Sequence, residues 1–226
     1  MKTQTKESQA KLTPLQAIQL LKDGNKRFVD NLKVHRNLLE QVNETSDGQF
    51  PLAVILSCID SRTSAELIFD QGLGDIFSIR IAGSIINEDI LGSMEFSCKV
   101  AGAKLIAVIG HTECGAIRGA CDDVQLGNLS ILLNKIKPAI DSEKITASNR
   151  NSGNPEFVER VATRNVRISM NQIIEKSPTL CEMIKSGKLA IIGGMYNVDT
   201  GVVEFYDQDM ITEHRFQTFG KDFLSL

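Results

Sequence analysis

The sequence predicts an α/β fold: a mainly parallel central sheet with flanking helices, an antiparallel edge strand and an N-terminal helical arm. Three observations carry that expectation. Four short apolar runs, 51–57 (PLAVILS), 76–80 (IFSIR), 104–110 (KLIAVIG) and 189–193 (LAIIG), are rich in β-branched residues and read as buried strands. Segments with helical spacing lie between them, and strand–helix alternation argues for parallel pairing. Residues 196–206, with Thr200 and Gly201 as a turn, read as a hairpin returning at a sheet edge.

Residues 1–12 read as a loose tail. A helix is expected from Leu12 onward, because Thr13 can cap it and Pro14 suits the first helical position. Leu15, Ile18, Leu20 and Leu21 form an apolar stripe, which 25–31 continues with Phe28 and Val29. Such a stripe must cover something, this subunit or a neighbour. An arm has little core of its own, so packing on a partner subunit is expected. Within 88–101, Ile90, Leu91, Met94 and Cys98 are helically spaced, and 126–140 and 157–175 are further helices around a polar stretch at 148–155. The chain divides into a tail and arm, 1–34, and an α/β domain, 35–226, that carries the chemistry.

Composition narrows the function. The chain has 226 residues, 42% hydrophobic and 23% charged, which suits one domain with an appended arm and excludes whole-chain disorder. A net charge of −3 with no basic block argues against nucleic acid. No apolar run reaches membrane-spanning length. The polar N-terminus has no signal-like apolar region, so a cytoplasmic location is expected. Five cysteines without an export signal make a disulfide framework improbable and leave buried thiols, metal ligands or nucleophiles. Gly72 and Gly74 lack the third glycine of a dinucleotide fingerprint, and 110–119 holds no Gly-Lys-Ser/Thr, so no nucleotide site is expected.

The chemistry gathers behind two strands. Cys58 follows the first, His111 follows the third, and Cys114 lies three residues further on. Loops beyond the C-terminal ends of parallel strands build the ligand site of such folds, so both open onto one rim. Two thiolates and an imidazole suit zinc, and three protein ligands leave a fourth position for water. Cys114 also precedes a predicted helix start, which favours its thiolate. Taken alone, His-x-x-Cys is commonplace; Cys98, Cys121 and Cys181 fit a packing role, and His35 and His214 have no ligand-spaced partner. Asp60 and Arg62 shift the balance. A carboxylate beside a metal can accept a hydrogen bond from bound water, and an arginine fork can hold it ionised and aimed.

Cys58-x-Asp60-x-Arg62 together with His111-x-x-Cys114-Gly115 resembles the β-class carbonic anhydrases. The likeness runs from the Leu15–Phe28 arm through Ile79 and Arg80 to 194–201 (GMYNVDTG). It implies reversible hydration of CO2 to bicarbonate and a proton by zinc-bound hydroxide, with one Zn2+ per subunit. It also implies a homodimer or tetramer with active sites at the subunit interface. By the same likeness, Asp60 and Arg62 are catalytic, and Asp60 would ligate the metal only in a closed state. Gln49 and the Gly115 N–H would hold a substrate oxygen, and Phe77 and Ala82 would wall the CO2 pocket. Phe96 departs from the tyrosine that many members carry. Arg80 and Tyr196 match two members of a Trp–Arg–Tyr triad that shuts the site in some of the family. Ile55 stands where the tryptophan would be, so Asp60 is expected to stay on Arg62 and off the metal. Action on COS or CS2 would use the same ligands. A non-catalytic zinc or bicarbonate-binding protein would not need the Asp60–Arg62 pair, and a redox role lacks a Cys-x-x-Cys motif.

Overall fold

The structure is a computed structural model, and it describes residues 3–219. The ends of the expected tail and of the α/β domain, residues 1–2 and 220–226, lie outside the described residues. The element order is α1 (Lys6–Lys11), α2 (Pro14–Val29), α3 (Leu38–Glu44), β1 (Ala53–Ser57), α4 (Ala65–Ile68), β2 (Ile76–Arg80), α5 (Glu88–Glu95), β3 (Leu105–His111), α6 (Gly115–Cys121), α7 (Gly127–Leu133), α8 (Lys137–Ser142), α9 (Pro155–Lys176), α10 (Pro178–Lys185), β4 (Ala190–Tyr196), β5 (Val203–Phe205) and α11 (Glu213–Phe219). Among these no helix is long and apolar enough to cross a membrane.

The five strands form one sheet in the order β2-β1-β3-β4-β5. The first four are parallel and β5 pairs antiparallel with β4, as the alternation and the turn at 200–201 predict. β1 and β4 are buried at every residue, which is why they read as unbroken apolar runs. Successive side chains point to opposite faces. Val54, Leu56, Ile106 and Val108 face a core built with Met94, Phe157, Val161, Val166 and Met170. Ala53, Ile55, Leu105, Ala107 and Ile192 face a second core with Ala17, Ile18, Leu21, Ile68 and Phe69.

That second core corrects the expectation for the arm. Thr13 and Gln16 cap α2 reciprocally and Pro14 sits in its first turn, as the sequence indicates. The helix packs on its own sheet, however, through Ala17, Ile18, Leu21, Gly24 and Asn25, while Leu15 is 60% exposed. Gly24 makes this approach feasible, since a Cβ there would stand 1.8 Å from the Phe69 carbonyl oxygen. Asn25 stitches the helix down: its amide donates to the Ile68 and Gly201 carbonyls at 3.2 and 2.9 Å and accepts from the Val203 N–H at 2.8 Å.

Two further expectations change. The tail contains α1, capped reciprocally by Thr5 and Ser8, and Gln9 within it donates to the Pro51 and Ala101 carbonyls at 2.8 Å each. The span 126–140 is two helices, α7 and α8, because Pro138 cannot donate to the carbonyl of Asn134 and its ring crowds that carbonyl. The 88–101 helix ends as a wider π-turn over Phe96–Val100.

Asp70 anchors the chain between α2 and α3. Its backbone is left-handed, with φ of 46°. Its carboxylate, 2% exposed, accepts from Arg27 Nε at 2.6 Å, from the Val34 N–H at 3.2 Å and from Arg36 Nη1. Burial alone would raise its pKa, but the two arginines and the Val34 N–H outweigh burial and hold it below the usual range. Asp70→Asn suits the left-handed backbone and removes only the charge, so it should cost about 3 kcal/mol and lower Tm by roughly 6–12 °C. A lowered folded pKa means that the carboxylate's contribution is complete above the unfolded value near ~3.9 and is lost as pH falls through the folded one. The Tm gap between the two proteins, measured by calorimetry, should therefore be constant from about pH 5 to 8 and shrink below about pH 4.

Candidate metal centre

Parallel pairing of β1 with β3 places Ser57 opposite Ile109, so the residues that follow leave the sheet at one edge. Cys58 is the first residue beyond β1, and His111 ends β3, which runs two residues further. A left-handed Glu113 (φ 57°) then turns the chain so that Cys114 becomes the N-cap of α6. Cys58, His111 and Cys114 are all at most 5% exposed, and their ligand atoms lie within 4.8 Å of one another.

The chemistry of this set fits a divalent cation. The Cys58 and Cys114 sulfurs are 4.0 Å apart, far beyond disulfide length and close to the ~3.8 Å that two thiolates span on a tetrahedral zinc. His111 Nδ1 lies 2.8 Å from the Thr112 carbonyl oxygen, an arrangement that makes Nδ1 the protonated nitrogen. Its Nε2 is then a bare lone pair, buried without a hydrogen-bond partner among the described residues. A hydrogen bond joins the two sulfurs. Cys114 donates to Cys58, burial opposes the charge, and the Gly83 and Asp60 N–H groups add support, so the Cys58 thiol sits well below its usual pKa. The same exchange, with burial, pushes Cys114 up. A cation would replace that proton.

Asp60 stands beside this group and does not join it. Its carboxylate takes a two-pronged grip from Arg62, Nε to Oδ1 at 2.9 Å and Nη2 to Oδ2 at 2.8 Å, while the Arg62 N–H also reaches Oδ1 at 2.9 Å. Arg62 holds the Asp60 carboxyl far below the usual carboxylate range. Two residues not assigned to this task from sequence shape the loop. Arg80 donates from Nε to the Cys58 carbonyl at 3.0 Å and from Nη2 to the Asp60 carbonyl, and Thr63 Oγ1 reaches the same two carbonyls at 3.0 and 2.9 Å. Thr63 carried no signal, since a buried hydroxyl bonding its own loop looks like any threonine.

The other expected site residues are placed as follows. Gly115 opens α6 with nothing within 4 Å of where a Cβ would be. Ala82 begins the turn after β2, and the neighbouring Gly83 N–H lies 3.4 Å from the Cys58 sulfur. Phe77 lies edge-on to Phe96, ring centres 6.2 Å apart, and the two line a hollow with Ser78, Ile79 and Gly92 that includes none of the three ligands. Gln49 is exposed and makes no hydrogen bond to the cluster among the described residues. Tyr196 ends β4 opposite His111, and Ile55 lies in the same apolar core as Tyr196.

Comparison with known proteins agrees with this geometry. The carbonic anhydrase family model matches residues 53–203. Carbonic anhydrase 2 of Mycobacterium tuberculosis is 34% identical over 194 residues, 83% of this chain and 90% of that protein. The carbonic anhydrase of Mycolicibacterium smegmatis is 32% identical over 197 residues, 84% and 92% of the two chains. Among solved structures, the β-carbonic anhydrase CcaA superposes with a TM-score of 0.66 at 25% identity, covering 84% of this chain and 95% of that one. A tetrameric β-carbonic anhydrase of Sordaria macrospora gives 0.63 at 23% identity, over 73% and 84%. With its Cys–His–Cys group at the C-terminal edge of a parallel sheet, the chain belongs to the β-class carbonic anhydrase family.

Proposed function

We propose that this enzyme catalyses the reversible hydration of CO2 to bicarbonate and a proton, with one zinc per subunit held by Cys58, His111 and Cys114. The reading rests on one juxtaposition: three soft donors within 4.8 Å of one another, with an ionised carboxylate gripped by arginine beside them and not among them. Zinc in that position would supply a Lewis acid that brings the ionisation of a water from 15.7 down toward ~7.

The chain's own residues supply the direction. Asp60 Oδ1 already accepts two N–H groups, whereas Oδ2 accepts only one. A carboxylate oxygen offers two acceptor sites, so Oδ2 keeps one to receive a hydrogen bond from the attacking water and aim it at carbon. Arg62 keeps Asp60 ionised and turned to that task. The first N–H groups of a helix have no carbonyl inside it to bond, and Gly115 therefore presents its N–H to an oxygen that gains charge as CO2 becomes bicarbonate. Ala82 gives CO2 an apolar surface beside Cys58, whereas Gln49 and Phe77, which do not meet this chain's own cluster, would serve the substrate only across a subunit interface. Ile59, 61% exposed next to Asp60, and Phe96, 51% exposed, offer apolar area to a second subunit, which supports a homodimer or tetramer with active sites at the interface. Five free cysteines support a reducing, cytoplasmic location.

Zinc content, CO2 hydration and thermal stability test the reading. Purified protein should hold one zinc per chain by elemental analysis and hydrate CO2 in stopped flow. Saturating zinc should raise Tm over chelator-treated protein by roughly 8–16 °C, and Cys58→Ser should abolish both the rise and the activity. A zinc-loaded protein that turns over COS or CS2 but not CO2 would replace this substrate assignment. Arg62→Ala should keep its zinc and lose at least about 100-fold in CO2 hydration, because Asp60 is then free to turn or to protonate. Unchanged kinetics in that zinc-replete variant would remove Arg62 from the mechanism.

A further inference from the structure

We propose that Asn165 is a positioning residue for the metal centre: through the Gly83 peptide it keeps a backbone N–H on the Cys58 sulfur and so sets how much charge that sulfur gives the metal. The inference rests on the metal reading above and adds a residue outside the Cys–His–Cys, Asp60 and Arg62 set.

The inward face of α9 is apolar at Phe157, Val158, Val161, Ala162, Val166, Met170 and Ile173, and is interrupted by two polar residues, Asn165 and Ser169. These are 4% and 2% exposed. A buried amide without partners costs ~1–3 kcal/mol, so its hydrogen bonds identify what it is there for. Asn165 Nδ2 donates to the Gly83 carbonyl at 2.7 Å, and Ser169 Oγ donates to the Ser84 carbonyl at 3.2 Å. Both therefore grip one turn. Ser84 is held from a third side as well, donating from Oγ to the Ile109 carbonyl at 3.2 Å.

That turn needs holding. Gly83 and Ser84 are both left-handed, with φ of 69° and 51°. For Ser84 this conformation costs ~1–2 kcal/mol. Glycine suits 83 because φ is positive there, and a Cβ would also stand 2.8 Å from Ile136 Cδ1 and push it aside. Glycine also leaves φ and ψ softer than any other residue would. The Gly83 N–H, 3.4 Å from Cys58 Sγ, and the Gly83 carbonyl lie on successive peptide planes joined by those two soft torsions. Fixing the carbonyl from α9 is what fixes the N–H on the sulfur.

The consequence follows from charge. A dication bound by two thiolates and a neutral imidazole has no net charge, and each thiolate weakens it as a Lewis acid. A hydrogen bond to sulfur draws density away from the metal, and such outer contacts tune metal sites in general. Asn165 therefore restores part of the electrophilic strength that the second thiolate removes.

Cobalt reports this directly. In full-length Co(II)-substituted protein, Asn165→Leu should shift the sulfur-to-cobalt charge-transfer band to lower energy, because Cys58 becomes the richer donor. Asn25→Leu is the control: it removes a similarly buried amide on α2 and unpairs the Ile68, Gly201 and Val203 backbone groups, should lower Tm, and should leave the band in place. A folded Asn165→Leu protein with an unmoved band would overturn the proposal, as would an equal shift in Asn25→Leu. A second measurement needs no variant. In 113Cd-loaded wild-type protein, the Gly83 amide should show scalar coupling to cadmium through the Cys58 sulfur, and its absence would overturn the proposal even if Asn165→Leu does not fold. Wild-type protein that binds no cobalt with thiolate bands would instead defeat the metal reading, so the two failures are distinct.

Discussion

Two sulfur atoms that can both become anions stand 4.0 Å apart in the interior, and most of the surrounding architecture follows from that proximity. At such a distance, away from bulk water, mutual repulsion is several times stronger than on the surface. A hydrogen bond between them relieves part of it, and a dication would relieve it more completely. The neighbouring backbone supplies partial positive charge in the same direction, through the Gly83 N–H and the start of α6 under Cys114, while His111 offers a lone pair that only a cation can use. Among the described residues no carboxylate belongs to the cluster. Asp60, two residues beyond Cys58, is turned to Arg62 and so does not add a third anion.

The sheet brings these groups together without strain in the strands themselves. Parallel register aligns the ends of β1 and β3, and β2 ends at Arg80 opposite Ser57. Three consecutive positions in the strand order thus deliver a thiol, an imidazole and a guanidinium to one edge. The left-handed backbone lies in the connections, at Gly83, Ser84 and Glu113, where it aims side chains that a strand alone would send to one face or the other.

How much of this could be read from the chain depends on distance along it. Cys58, Asp60 and Arg62 are spaced within one loop, and His111 and Cys114 within another, so strand ends and spacing alone expose the metal group. Thr13 with Pro14 marks the start of α2 for the same local reason. Thr5 with Ser8 and the break at Pro138 are equally local signals, carried by capping residues and a proline within a few positions of the feature they mark. The partner of an apolar stripe is different. Nothing in Ile18 or Leu21 says which surface they cover, and Gly24 acquires meaning only against the Phe69 carbonyl. Arg80 and Asn165 act on residues 22 and 82 positions away, and no periodicity carries that information.

The stitch made by Asn25 has a consequence for synthesis on the ribosome. Its amide bonds Gly201 and Val203, the latter 178 residues further along. At the usual pace of roughly 5–20 residues per second, Val203 is made about 10–35 s after Asn25. Throughout that interval the β4–β5 surface that secures α2 does not exist, and Ile18 and Leu21 have only β1 and β3 to settle on. Helix α2 is thus made early and locked late, and any pause in translation before Val203 prolongs its exposure to chaperones, proteases and other nascent chains.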